Sequence, residues 1–353
     1  PRTPVTDLAV HQKNLVVATQ GRSFWILDDL NVVHELKEGL SNSPTHLFSP
    51  AVAYRASFPS GRGGSRSGSN PPNGAVIHYY LAEKPKEQVK IEIRDSQGEL
   101  LRTFVGKVEE KGKEGGEGTE PSRDDSEPVA PAEKGLNKVV WDLRLAEVDK
   151  VKDAVLWGFT GGPIALPGEY QVRLVLGDTV QTKTVKVVAD PRSEATPADL
   201  QEQYEMMVEI RKQLDLLYRK VREIRSVREQ VSRISKEVAE AGLGDDLKES
   251  ADSISEKLSR IENRLMQTKN ESSQDPLNFP PMLDNQFVYL YGYVGSSNFR
   301  PTEGAQIRLD ELKTELTSLM KELEVVIKTD VDAFTRQVKA KKIPLILIPE
   351  KER

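Results

Sequence analysis

Trp157 and Phe159 are the residues of this chain best placed to meet a ligand. They lie in the run VLWGFTGGP, residues 155–163, where Gly158, Gly161 and Gly162 flank the rings. Aromatic rings set among glycines can stand clear of the backbone and stack on a sugar ring or an apolar side chain. The same two rings could equally plug the end of a β layer. Trp141 has the composition of a stacking residue but alternates with Val139 and Leu143, which makes it a core residue. Asp28 and Asp29 are adjacent acids at the end of an apolar run. Glycoside hydrolysis needs two carboxyls roughly 5–10 Å apart across a cleft. Neighbours on a strand point to opposite faces, so turn capping is the expected role of this pair. His11, His34, His46 and His78 stand on separate segments with no H-x-H or H-E-x-x-H spacing, which gives no metal site. There is no G-x-S-x-G elbow and no phosphate-cradling glycine loop, and the chain has no cysteine. No catalytic residue, metal or cofactor is therefore assigned; Trp157 and Phe159 remain the candidate ligand surface.

The elements around them fall into three zones. Residues 5–30 alternate as strands. The runs Leu15–Ala18 and Phe24–Leu27 read as buried, with a turn at Gly21. Residues 31–55 read as an ordered connector with a short helix, and residues 56–74 as a flexible Gly/Ser/Arg linker. Its RGG-like composition lacks the interleaved aromatics of a nucleic-acid contact. Residues 75–190 form a second zone with candidate strands at 75–83, 88–96, 100–107, 136–144, 168–177 and 179–190. An acid-rich insertion at 108–134 has nothing to bury and is expected to be disordered. Short alternating strands punctuated by turns predict an immunoglobulin-like β-sandwich.

From Pro191 the period becomes helical. Thr196-Pro197-Ala198-Asp199 carries the residues of a helix start. A coiled-coil-like stripe then runs through Met207, Leu214, Val221 and Ile224 to Val238 and breaks at Gly242 and Gly244. A second helix carries Leu247 to Leu265, a short third Leu283 to Val294, and a fourth begins at Thr302 and runs to about Lys341. These predict an antiparallel long-helix bundle over 191–343. In the tail of residues 344–353 the apolar run PLILIP, 344–349, would pack on the bundle or complete a sheet edge. Asn270-Glu271-Ser272 is a glycosylation sequon, of consequence only in a eukaryotic secretory route.

Composition sets outer limits. The chain has 353 residues, 37% hydrophobic and 30% charged, with a net charge of −5 spread over mixed segments. That balance offers no nucleic-acid footprint, and no apolar run reaches the ~18–20 residues of a membrane helix. A start at Pro1 without a leader fits a processed or truncated N-terminus.

Two sets of motifs carry a resemblance. VVATQGRSFWILDDL resembles the closing strands of the last blade in bacterial sortilin-like, neuraminidase-repeat β-propeller proteins, often labelled glycosyl hydrolases. NPPNGAVIHYYL, GLNKVVWDLR and LPGEYQVRL are similar to the region after the propeller in that family. GLNKVVWDLR with PGEY also resembles the immunoglobulin-like domain of flagellar hook-capping proteins. QTKNESSQDPLNFPPMLDNQF is similar to the family's helical C-terminal region. The aspartate-box turn S-x-D-x-G-x-T-W is absent from the chain. The resemblance implies terminal propeller-blade strands over 1–55, then the sandwich, then the bundle, in a secreted or periplasmic protein. Three functions are compatible with it. One is a non-catalytic structural or binding module that contacts protein or glycan. Another is the C-terminal part of a glycoside hydrolase whose site lies in the missing propeller. The last is a subunit of a larger assembly in which a separate chain supplies the remaining blades.

Overall fold

A computed structural model describes residues 2–36, 43–58, 70–106, 129–152, 154–240 and 245–341. Most of the linker, the insertion from 107 to 128, the Gly242–Gly244 break and the apolar tail lie outside the described residues. The fold is mixed α/β, with several small sheets followed by a C-terminal helical region. The chain divides into two compact units. Residues 1–146 and 164–194 form the first, and residues 147–163 with 195–353 form the second.

The first unit opens with a three-stranded antiparallel meander: β1 (Val5–His11), β2 (Asn14–Thr19) and β3 (Phe24–Leu27). Leu8, Val10, Phe24, Trp25, Ile26 and Leu27 are all exposed. The expectation of burial for Phe24–Leu27 fails here because no other described layer of the unit covers the meander. Leu30 N–H donates to Lys13 O, which closes it against α1 (Asn31–Glu35).

The remaining strands make two sheets. β5 (Ala53–Arg55), β11 (Thr179–Ala189), β10 (Gly168–Leu176), β7 (Val89–Arg94) and β8 (Leu100–Val105) form one, in that spatial order. β4 (Thr45–Leu47), β6 (Ala75–Leu81) and β9 (Gly135–Trp141) form the other. Period-2 alternation decides which face is buried: Ala75, Ile77, Tyr79 and Leu81 on β6, Val89, Ile91 and Ile93 on β7, Val172 and Leu174 on β10. Gly177 at φ +54 lets β10 turn directly into β11, pairing Leu176 with Thr179. The 31–55 connector contributes more than a helix. β4 pairs antiparallel with β6 and β5 parallel with β11. The Gln181 amide secures β4 by accepting from Leu47 N–H at 2.7 Å and donating to Thr45 O at 2.9 Å.

The second unit is built on α2 (Pro197–Glu240), α3 (Asp245–Leu265), α4 (Leu283–Val294), α5 (Glu303–Val325) and α6 (Asp332–Ala340). A capping box starts α2: Asp199 N–H donates to Thr196 Oγ1, and Thr196 N–H to the Asp199 carboxylate. Arg225 pairs with Glu262 and Arg228 with Ser259 and Glu262, so α2 and α3 run in opposite directions. Ile210, Leu214, Leu217, Val221 and Ile224 of α2 meet Leu258, Phe287, Leu312 and Leu319 in one core. Between α5 and α6 the residues Val326–Val331 form a π-helical turn. The additional residue re-phases the apolar stripe, so that Phe334 is buried after Val326, and it sets Asp330 2.8 Å from Lys257. Thr302 caps α5 by accepting from Ala305 N–H at 3.2 Å. Thr302→Ala should lower the helical region's unfolding free energy by about 1 kcal/mol in urea denaturation.

Candidate functional site

Trp157 and Phe159 belong to a strap, Glu147–Pro163, that leaves the strands after Ala146, joins the helical unit and returns at Ile164. Among its described residues the strap has almost no regular structure, so side chains of the helices and of the segment between α3 and α4 hold it. Val148 and Val151 are buried in the helical core. Arg222 of α2 donates to Asp149 O and Asp149 Oδ1, at 2.6 and 2.8 Å. Asn270 Nδ2 donates to Val155 O at 3.1 Å. The Asn285 amide grips Trp157 from both sides, accepting from its N–H at 3.1 Å and donating to its carbonyl at 2.7 Å. Tyr291 Oη donates to Gly161 O at 2.7 Å.

The glycines are there for fit. Gly158 has φ +132, and a Cβ on it would lie 2.5 Å from Val288 Cγ1. A Cβ on Gly161 would lie 2.2 Å from the Phe159 ring. The rings are accordingly fixed, with Trp157 36% and Phe159 43% exposed. The Phe159 ring is nearly parallel to Tyr291, centroids 6.3 Å apart. Trp157 Nε1–H donates to Ser273 O at 2.8 Å. This indole therefore offers a visitor ring surface, with its polar atom already engaged. Such a surface can stack on an apolar or sugar face; it supplies no acid, base or nucleophile. The sequon amide of Asn270 is likewise engaged with the strap, through Nδ2.

The other candidates stay apart. Trp141 is fully buried. Asp29, at φ +54, accepts from Asn31 N–H at 3.1 Å and so caps the turn into α1, while Asp28 is exposed. His78 lies on β6, its pKa lowered by burial against the pull of Asp29. No group of three or more His, Cys, Asp or Glu among the described residues could hold a metal ion.

The polar cluster that motif reading missed joins Glu35, His46 and Ser49. Glu35 Oε2 lies 3.0 Å from His46 Nε2, and Glu35 Oε1 accepts from Ser49 N–H at 3.0 Å. Burial raises the Glu35 pKa, but hydrogen bonds from Ser49 and His46 outweigh it and the net shift is down. Here the carboxylate stands between serine and histidine. A nucleophilic triad needs the histidine in that place, so the cluster serves to fasten α1 to β4. No spacing motif could reveal it, because each member comes from a different element.

No protein-family model and no curated protein matches the chain. Among the described residues no helix is long and apolar enough to cross a membrane.

Proposed function

We propose that this chain is a non-catalytic structural and binding module, the C-terminal part of a large secreted or periplasmic bacterial β-propeller protein of the sortilin-like kind. In this reading β1–β3 are strands of the last blade, the two sheets an immunoglobulin-like sandwich, and α2–α6 a helical bundle.

The observation that carries the reading is the β1–β3 meander. Strand register puts Leu8, Val10, Leu15, Val17, Trp25 and Leu27 on one face. Ala9, Val16, Ala18, Phe24 and Ile26 share the other, with Asp7, His11 and Asn14 at its rim. A sheet with one dry face alternates apolar and polar; a sheet apolar on both faces is the composition of an inner layer. Three strands about 4.8 Å apart and some six residues long present only about 300 Å² a face. A stable partner interface buries about 800 Å² per side. One face is too small to hold a freely diffusing partner, so enclosure by a single body on both faces fits best, as neighbouring blades would provide.

The sandwich reading is supported by the fully buried Trp141, whose ring meets Tyr170 edge-on at 5.2 Å. Tyr170 Oη, near the start of β10, donates to Leu166 O at 2.8 Å, four residues back and just before the strand, in the manner of a tyrosine corner. The bundle reading is supported by the opposed α2–α3 pairing. Protein or glycan contact would fall to Trp157 and Phe159.

The test is the intact mass of the protein purified from its source, with identification of whatever remains bound to this chain. A longer precursor, or a tightly held propeller chain, is the expected result. A lone monomer of the 39.4 kDa chain mass would overturn the reading. Glycosidase turnover by residues 1–353 alone would overturn the non-catalytic assignment.

A further inference from the structure

The helical unit contains a buried acid that no salt bridge explains. Asp284 stands in the first turn of α4 and is 2% exposed. Its Oδ2 accepts from Tyr218 Oη of α2 at 3.2 Å, and its Oδ1 from Asn285 N–H at 2.7 Å. Asn285, the next residue, holds Trp157 of the strap from both sides. One helical turn thus carries both the buried carboxyl and the grip on the strap.

We propose that Asp284 is a proton-operated latch on the strap Glu147–Pro163: protonated, it lets the first turn of α4 stay packed on α2 with Asn285 closed on Trp157, and ionised, it loosens that turn and releases the strap. A carboxylate at this depth has only neutral donors and no cation to offset its lost hydration. Water can reach it only if the turn shifts, and Asn285 shifts with it.

The surrounding charges do not relieve it. From α2 the facing titratable group is Tyr218, whose own pKa is raised by burial and by Asp284. On the strap, Asp149 is bound by Arg222. On α3, Glu262 is bound by Arg225 and Arg228. On α5, Arg308 reaches Gln286 and Glu311. Among the described residues no Lys, Arg or His pairs with Asp284. Burial accordingly pushes its carboxyl up to about 7, against the hydrogen bonds that lower it.

Linkage fixes the sign. A carboxyl held near 7 when the strap is closed, and near its ordinary value of about 4 when it is open and hydrated, favours opening as pH rises. The open-to-closed ratio climbs by up to tenfold per pH unit from about pH 4, and levels above about pH 7.

The chain has no cysteine, so one introduced thiol is a clean reporter. Val151→Cys places it in the buried part of the strap, and Ile254→Cys places it in the core of α3. Labelling by a thiol reagent is measured from pH 5 to 9 in the full chain and divided by the rate of a free thiol at each pH. Protection of residue 151 is expected to fall by up to tenfold per unit to about pH 7 and then hold, while residue 254 does not follow. In an Asp284→Asn background the fall at residue 151 should vanish. Constant protection at residue 151, a slope that survives Asp284→Asn, or an equal slope at residue 254 overturns the proposal.

Discussion

Replacing Arg225 and Arg228 together by methionine is expected to destabilise the helical region by about 3–5 kcal/mol. Glu262 is 3% exposed, and its two oxygens accept from Arg225 Nε at 2.6 Å and Arg228 Nη1 at 2.7 Å. Both arginines keep about a third of their side-chain surface in solvent. The cost is therefore asymmetric. Removing the arginines strands a buried carboxylate, whereas Glu262→Gln leaves two cations that can turn outward to water. The glutamine variant should lose about 1–2 kcal/mol, and either arginine substitution alone should fall between, because the other still serves the carboxylate. Urea unfolding monitored by helical circular dichroism measures all four variants. A glutamine variant as damaged as the double methionine would show that the stability resides in the network's geometry and not in the buried charge.

Legibility in the sequence tracked the range of the forces involved. The long helices declare themselves because their signals are local. The residues at 196–199 form the capping box, and the stripe from Leu200 to Val238 is the buried face of α2. Strands β6, β7 and β10 are equally plain from alternation. β4 and β5 escaped because strands of three residues carry no period, and each exists only through a partner supplied from far along the chain. The π turn escaped because one added residue shifts a stripe without breaking it. The meander was legible as strands, but its exposure was not, since an apolar run reports what a segment can bury and not what is present to bury it.

The candidate site shows the same division. Trp157 and Phe159 stand out by residue type, yet their fixing depends on Asn270, Asn285 and Tyr291, more than 100 positions later. Asparagine and tyrosine in those places carry no motif. Asp284 is similarly silent in sequence, where an acid in the first turn of a helix is ordinary dipole chemistry. Only burial makes it unusual.

The strand-rich unit has its own point of greatest cost at Trp141, where alanine should remove about 3–5 kcal/mol. The ring is fully buried, meets Tyr170 edge-on, and donates Nε1–H to Arg144 O at 2.8 Å. Phenylalanine would keep most of the packing and lose that hydrogen bond, a loss nearer 1–2 kcal/mol. The backbone at the same spot is equally constrained. Gly74 has φ +116, and a Cβ there would sit 2.0 Å from Trp141 O. Gly74→Ala must therefore separate β6 from β9 at the pair Ala75–Trp141, and no side-chain repacking can relieve a backbone collision. Amide hydrogen exchange distinguishes these effects by location. Both Trp141→Ala and Gly74→Ala should speed exchange across β6 and β9 and leave the central turns of α2 and α5 protected. Equal loss in the helices would mean that the two units unfold in one step.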